Sequence, residues 1–168
     1  MKIPRYVSIT LSFAIVIAIL SLPFIFGSKN SQTSASSTST NGLAAPVSQL
    51  SFDHPLMIGK QAITVAFAST PAEQEQGLSD TSKLSMDNGM LFIFDAPTVP
   101  AFWMKDMNYP LDIIWIDSNK KIIAVSQNLD PSTYPQTFVP PSQVSYVLEV
   151  PAGFYNENYL SIGDSISF

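Results

Sequence analysis

GMLFIFDAPTVPAFWMKDMNYPLDIIWID, residues 89–117, holds two short apolar runs, 90–94 and 111–116, separated by three prolines and a chemically mixed string. Each run is four to eight residues long and rich in β-branched and aromatic side chains, and turn formers bound it, so each reads as a strand. Between them lies Phe102-Trp103-Met104-Lys105-Asp106, where an indole, an ammonium group and a carboxylate crowd into what is otherwise core. If residues 101–105 are extended, Trp103 and Lys105 project to one side while Phe102 and Met104 project to the other.

Working outward, residues 62–68 alternate with Ile63, Val65 and Phe67 on one face, the pattern of a half-buried strand. Thr70-Pro71-Ala72-Glu73 follows at once, a capping box with proline at the first helical position, and Gly77 is placed to end that helix. Further strand-like runs lie at 121–126, 143–150 and 165–168, and residues 117–120 make a tight hairpin turn in which Asn119 suits the left-handed conformation. Thirteen prolines confine much of the remainder to loops and strand edges, and a helical turn fits near 154–158. The expectation is an all-β or β-dominated domain, a single β-sandwich or small barrel with one short helix.

The ends differ in character. Residues 6–26 carry no charge and are long enough to cross a bilayer of ~30 Å as a helix, with Lys2 and Arg5 ahead of them. This predicts an N-terminal transmembrane anchor over residues 1–27, a cytoplasmic amino terminus and a carboxy-terminal part outside the cytoplasm; a signal peptide cut after a small residue such as Ala35 is the other reading. Residues 28–45 are polar and Ser/Thr-rich, with no apolar periodicity, and read as a flexible linker. Residues 46–168 form the expected extracytoplasmic domain.

From Asp53 onward the chain holds five lysines and all thirteen acidic residues, a charge that repels phosphate backbones and argues against nucleic acid as a partner. The absence of cysteine removes thiolate nucleophiles, disulfides and cysteine zinc sites, and the single histidine, His54, reads as a surface or loop residue. No EF-hand spacing, glycine-rich phosphate loop or G-x-S-x-G elbow is present, so neither a metal nor a cofactor is expected.

The candidate ligand-binding residues are Trp103, Lys105, Asp112 and Glu149. An indole beside a cation stacks on planar or sugar-like ligands, and Asp112 beyond the Pro110 turn is positioned to orient the lysine. The competing reading has Trp103 covering the core edge, Lys105 lying over it, and Asp106 or Asp112 pairing with the lysine at the surface. Glu149 sits in the strand at 144–150 on the face of Ser145 and Val147, either pointing into a pocket or facing solvent. Asp117 and Asp164 read as turn residues. The proline-rich loop at 130–141 carries Tyr134 and Phe138, which read as aromatics packing within the loop, the other reading being a lip over the Trp103 face.

Residues 63–168 resemble domain of unknown function family number 192, through the GMLF, FWMK and PLD-I elements, Thr70–Glu73 before Gly77-Leu78, the string at 146–153, and Ile162-Gly163-Asp164. The resemblance implies a sandwich or barrel-like β fold and a shared site around FWMK and PLD. It implies no activity, and relatives often carry a basic residue soon after Gly-Leu, where this chain has Ser79-Asp80-Thr81-Ser82. The functional expectation is a membrane-tethered domain that contacts a small polar ligand or an envelope component. The other class left open is a hydrolase or other enzyme using Lys105 with Asp112 or Glu149.

Overall fold

The computed structural model describes residues 50–168. The expected membrane segment and linker lie outside these residues, and among the described residues no helix is long and apolar enough to cross a membrane. In chain order the elements are β1 (His54–Ile58), β2 (Gln61–Ala68), α1 (Pro71–Gln76), β3 (Asn88–Thr98), β4 (Phe102–Trp103), β5 (Leu111–Ile116), β6 (Ile122–Leu129), β7 (Thr137–Phe138), β8 (Val144–Pro151), α2 (Phe154–Glu157) and β9 (Ile166–Ser167).

Seven strands form one sheet in the order β6-β5-β8-β3-β2-β1-β9, while β4 and β7 make a separate two-stranded ribbon. All neighbours are antiparallel except β2 and β3, whose crossover contains α1. The sheet curls until its two edges touch at one end, where Lys121 and Ser165 form an isolated bridge and Ile122 N donates to Asp164 O at 2.9 Å. The fold is therefore β-dominated, a curled half-barrel with few helices.

β5 and β8 are buried nearly throughout because both faces of the sheet are covered there, so even Asp112, Ser145 and Glu149 lie out of solvent. The inner face draws Ile58, Val65, Leu91, Ile114, Leu148 and Ile166 into one cluster that includes residues of both edge regions, with Phe154 of α2 packed on it. The outer face gathers Met90, Phe92, Ile113, Trp115 and Val147 beneath Leu78, Leu84 and Met104. Burial of this kind is worth roughly 25 cal/mol per Å² of apolar surface.

Local signals explain the short elements. Thr70 Oγ1 accepts from Glu73 N at 3.3 Å and Glu73 Oε2 accepts from Thr70 N at 2.9 Å, the reciprocal cap that was expected. Gly77 closes α1 at φ 50°, and its N–H donates to Glu73 O at 2.8 Å. At the β5–β6 turn Asp117 Oδ1 accepts from both Asn119 N and Lys121 N, each at 2.8 Å. The left-handed residue there is Lys120 (φ 60°) rather than Asn119, because the two bonds to Asp117 already fix the backbone on either side of it.

The helical turn foreseen near 154–158 is α2. Two strands were not expected. His54 lies at the surface, as read, but in β1 rather than in a loop, and its ring stacks on Phe67 at 3.9 Å. The loop at 130–141 contributes β7, which pairs Trp103 with Thr137 and Phe102 with Phe138.

Candidate functional site

The outer face of the sheet is incompletely covered. A cleft of about 300 Å³ opens between α1 with the turn after it, β3, and β4. Phe92 and Phe94 of β3 form one wall, Phe102 and Trp103 another, Met107 adds a thioether, and the α1 side supplies Gln74, Glu75, Gly77 and Ser79. Phe94 reaches the cleft because alternation along β3 sets it on the face of Met90 and Phe92; beside it, after Ile93, β3 leaves register with β8, the ladder resuming only at Thr98. Gln74 Nε2 donates to Ile93 O at 2.8 Å, at the last residue before the ladder breaks, and so fastens α1 to the bulge.

Glu149 lines this cleft from β8. It pairs with Met90 on one side and Ile113 on the other, both outer-face residues, so its carboxyl lies under the cover layer and is 5 % exposed. Its Oε2 is sealed from solvent and has no hydrogen-bond partner. Burial pushes its pKa up to about 8. Nearby, Tyr109 is tied to Thr81 Oγ1, whose own hydroxyl donates to Leu78 O at 2.6 Å, so the phenol must be the donor in that pair. Burial holds Tyr109 above its ordinary value; the Thr81 bond opposes this, and the neighbouring Glu149 adds to it.

Trp103 is 42 % exposed and forms part of the cleft wall. Phe102 turns inward, packing edge-on against Phe92 at 4.8 Å and Trp115 at 5.5 Å, and Met104 is buried, as the alternation predicted. The extended stretch stops at Trp103, however, so Lys105 does not continue its face. Lys105 and Asp106 form a turn with Asp106 at φ 56°, and the lysine ammonium stands 3.8 Å from Asp106 Oδ2 with both side chains about half exposed. Lys105 is not among the residues lining the cleft. What its backbone does is structural: Lys105 O accepts from Ser79 Oγ at 3.0 Å, and Asp106 O accepts from Asp80 N at 2.8 Å, joining the two lips of the cleft.

Asp112 belongs elsewhere. Its neighbour Ile113 pairs with Glu149, so Asp112 points to the opposite face of the sheet. There it is fully buried, with Oδ1 accepting from Asn128 N at 2.8 Å and Oδ2 from Tyr155 N at 3.0 Å. The expectation that it orients Lys105 is corrected: it anchors β6 and α2 to β5. The structure thus brings together Trp103 and Glu149, and leaves Lys105 at the periphery and Asp112 behind the sheet.

Sequence reading did not single out Phe92, Phe94, Phe102, Met107 or Gln74. The alternation of residues 90–94 carried a signal for two of them, since it places Phe92 and Phe94 on the face of Met90, the register neighbour of Glu149. Among the described residues no cluster of three or more His, Cys, Asp or Glu side chains is arranged to hold a metal ion.

Residues 55–168 match the model of domain of unknown function family 192, described as "Uncharacterized ACR", and the chain belongs to that family. No curated protein matches. Among solved structures, one from Sinorhizobium meliloti 1021, described as a candidate transcription regulator, is similar at 31 % identity and a TM-score of 0.63, covering 67 % of this chain and 89 % of that one. A protein of unknown function from Novosphingobium aromaticivorans DSM 12444 is similar at 25 % identity and a TM-score of 0.66, over 73 % of this chain and 89 % of that one.

Proposed function

We propose that the β domain is a small-ligand binding module, carried outside the cytoplasm on the apolar segment at 6–26, and that the cleft between Trp103 and Glu149 is its binding site. One observation carries this reading: a buried carboxyl with an unpartnered oxygen lines an open, aromatic-walled cleft. Burying such a group costs free energy unless a partner satisfies it, and apolar concavities with a few placed polar groups are where small ligands bind. Nothing in the fold requires the carboxyl there, since the register neighbours Met90 and Ile113 are apolar.

Binding is favoured over hydrolysis by the state of the other polar groups. Ser79 Oγ is committed to the Lys105 carbonyl, Asp112 is behind the sheet, and Lys105 faces Asp106. The titratable groups near Glu149 are Tyr109, whose phenol is committed to Thr81, and Glu75 on the α1 side of the cleft, and neither donates to its Oε2, whereas general acid–base catalysis depends on a partner in such reach. The description of the Sinorhizobium protein as a regulator finds no support in the charge of this domain, where five lysines face thirteen acids.

The test is a small-molecule screen on the full-length chain in nonionic detergent, read by side-chain NMR and indole fluorescence, with Trp103→Ala and Glu149→Gln in parallel. Saturable binding weakened by both changes is expected. Binding indifferent to both, or turnover that Glu149→Gln abolishes, would replace this reading. Protease accessibility of the carboxy-terminal part in intact cells checks the expected topology, and protection from external protease would refute it.

A further inference from the structure

Resting on the reading of this cleft as a ligand site, we propose that its ligand presents an organic ammonium group, primary or quaternary, seated against the aromatic walls and facing the Glu149 carboxylate. The first argument is the shape of the wall. Phe92, Phe94, Phe102 and Trp103 all border one small cavity, and aromatic faces attract cations, the indole most strongly.

The second argument is the inventory of polar groups. The Gln74 amide is spent on the Ile93 and Ala68 carbonyls, the Gln76 amide on Ser79 O, and the Ser79 hydroxyl on Lys105 O. What remains is acidic: Glu149 within and Glu75 beside it, with no Lys, Arg or His among the lining residues. An anionic ligand would meet two carboxyls and no countercharge. An uncharged apolar ligand would leave Glu149 Oε2 as unpartnered as before, whereas an ammonium group supplies what it lacks. The excess of acidic residues over lysines in this domain also favours arrival of a cation.

The proposal predicts a proton count. The titratable groups around this carboxyl are Tyr109, whose phenol donates to Thr81, and Glu75 at the α1 side; the strand neighbours Met90 and Ile113 and the β4 residues Phe102 and Trp103 carry none. With its pKa pushed up to about 8, Glu149 is mostly protonated at pH 7 in the free protein. Pairing with a cation requires the carboxylate, so binding expels close to one proton, and affinity rises by about tenfold per pH unit up to the free-protein pKa.

The experiment uses the full-length chain in nonionic detergent. Choline and n-butylammonium are titrated against their uncharged counterparts 3,3-dimethyl-1-butanol and n-butanol, by calorimetry in two buffers of different ionisation enthalpy and at a series of pH values. Expected are saturable binding of at least one cation, at least tenfold weaker binding of its counterpart, release of about one proton at pH 7, and an affinity that climbs from pH 6 and levels off above pH 8. Glu149→Gln is expected to abolish the proton release and the pH dependence, and Trp103→Leu to weaken the cation more than the alcohol. Competition by phosphatidylethanolamine vesicles assigns the ammonium to a lipid headgroup, and its absence to a free amine. Equal binding of the alcohols without proton release overturns the ammonium assignment and leaves the cleft standing as a ligand site. Silence from all four probes also overturns it, and only silence in the wider screen as well removes the site itself.

Discussion

Glu149 spends stability that its neighbours Met90 and Ile113 supply. Its folded-state pKa, raised from 4.5 to about 8, means that the folded protein holds a proton that the unfolded chain has lost over that interval. Well below pH 4.5 both states hold the proton and the pH-dependent part of the cost vanishes; as pH rises to 8 the penalty grows, to on the order of 5 kcal/mol, and then levels off. Denaturant unfolding of the protein is therefore expected to weaken from pH 5 to pH 8, with Glu149→Gln removing most of that slope and unfolding later than the native protein at pH 8. The two tryptophans separate a wall from a core. Trp115 is buried and donates to Ser126 Oγ at 3.1 Å, so Trp115→Ala is expected to cost about 3 to 5 kcal/mol, whereas the half-exposed Trp103 should cost less than about 2 while still weakening binding. Asp112→Asn turns one accepting oxygen into a donor facing a backbone N–H, at an expected cost of about 2 to 3 kcal/mol in urea unfolding, with ligand affinity unchanged.

Among the elements, the close approach of β3 to β8 depends on Gly89. A Cβ there would stand 2.9 Å from Glu149 O and 3.1 Å from side-chain carbons of Leu148 and Val150, so Gly89→Ala must push the two strands apart. The expected loss is about 1 to 3 kcal/mol by thermal or urea unfolding. Elements of this kind were readable where one local rule governs them. Ala62–Ala68 alternates, Thr70–Glu73 caps its own helix, and Asp117 closes its own turn, so each is written within a few residues. β1 escaped because His54-Pro55 opens it with turn-like chemistry and only Leu56 and Ile58 mark its buried side. β7 escaped because two residues in a proline-rich loop become a strand only when β4 is there to pair with them. The site divides in the same way. Glu149 was visible as a carboxylate in a core strand, with pocket and solvent both open to it, and Trp103 as an indole that either lined a site or covered the core edge. That Asp112 serves the backbone rather than Lys105 was not legible, since its partners Asn128 and Tyr155 arrive from distant parts of the chain.

For the whole molecule, closure of the curl rests on a few groups at its seam. Ile166 pairs with Ile58 and fills the inner face, and its N–H donates to Lys120 O at 3.0 Å, so one residue touches both edges. Ile166→Ala is expected to cost about 2 to 5 kcal/mol and to raise hydrogen exchange in β1 and at the start of β6 ahead of the centre of the sheet. The ladder at that centre has another consequence, in time rather than in strength. β3 and β8 meet across the whole span of β4 to β7, and β2 must wait for α1 and its loop before it can lie parallel to β3. Such distant pairings carry their loop-closure entropy before any contact repays it, which puts this chain among slow folders, in milliseconds to seconds. A chain emerging residue by residue therefore holds β3 and β5 without the strand that joins them until residues 144–151 have appeared, and for that interval two apolar strands must be kept from strangers.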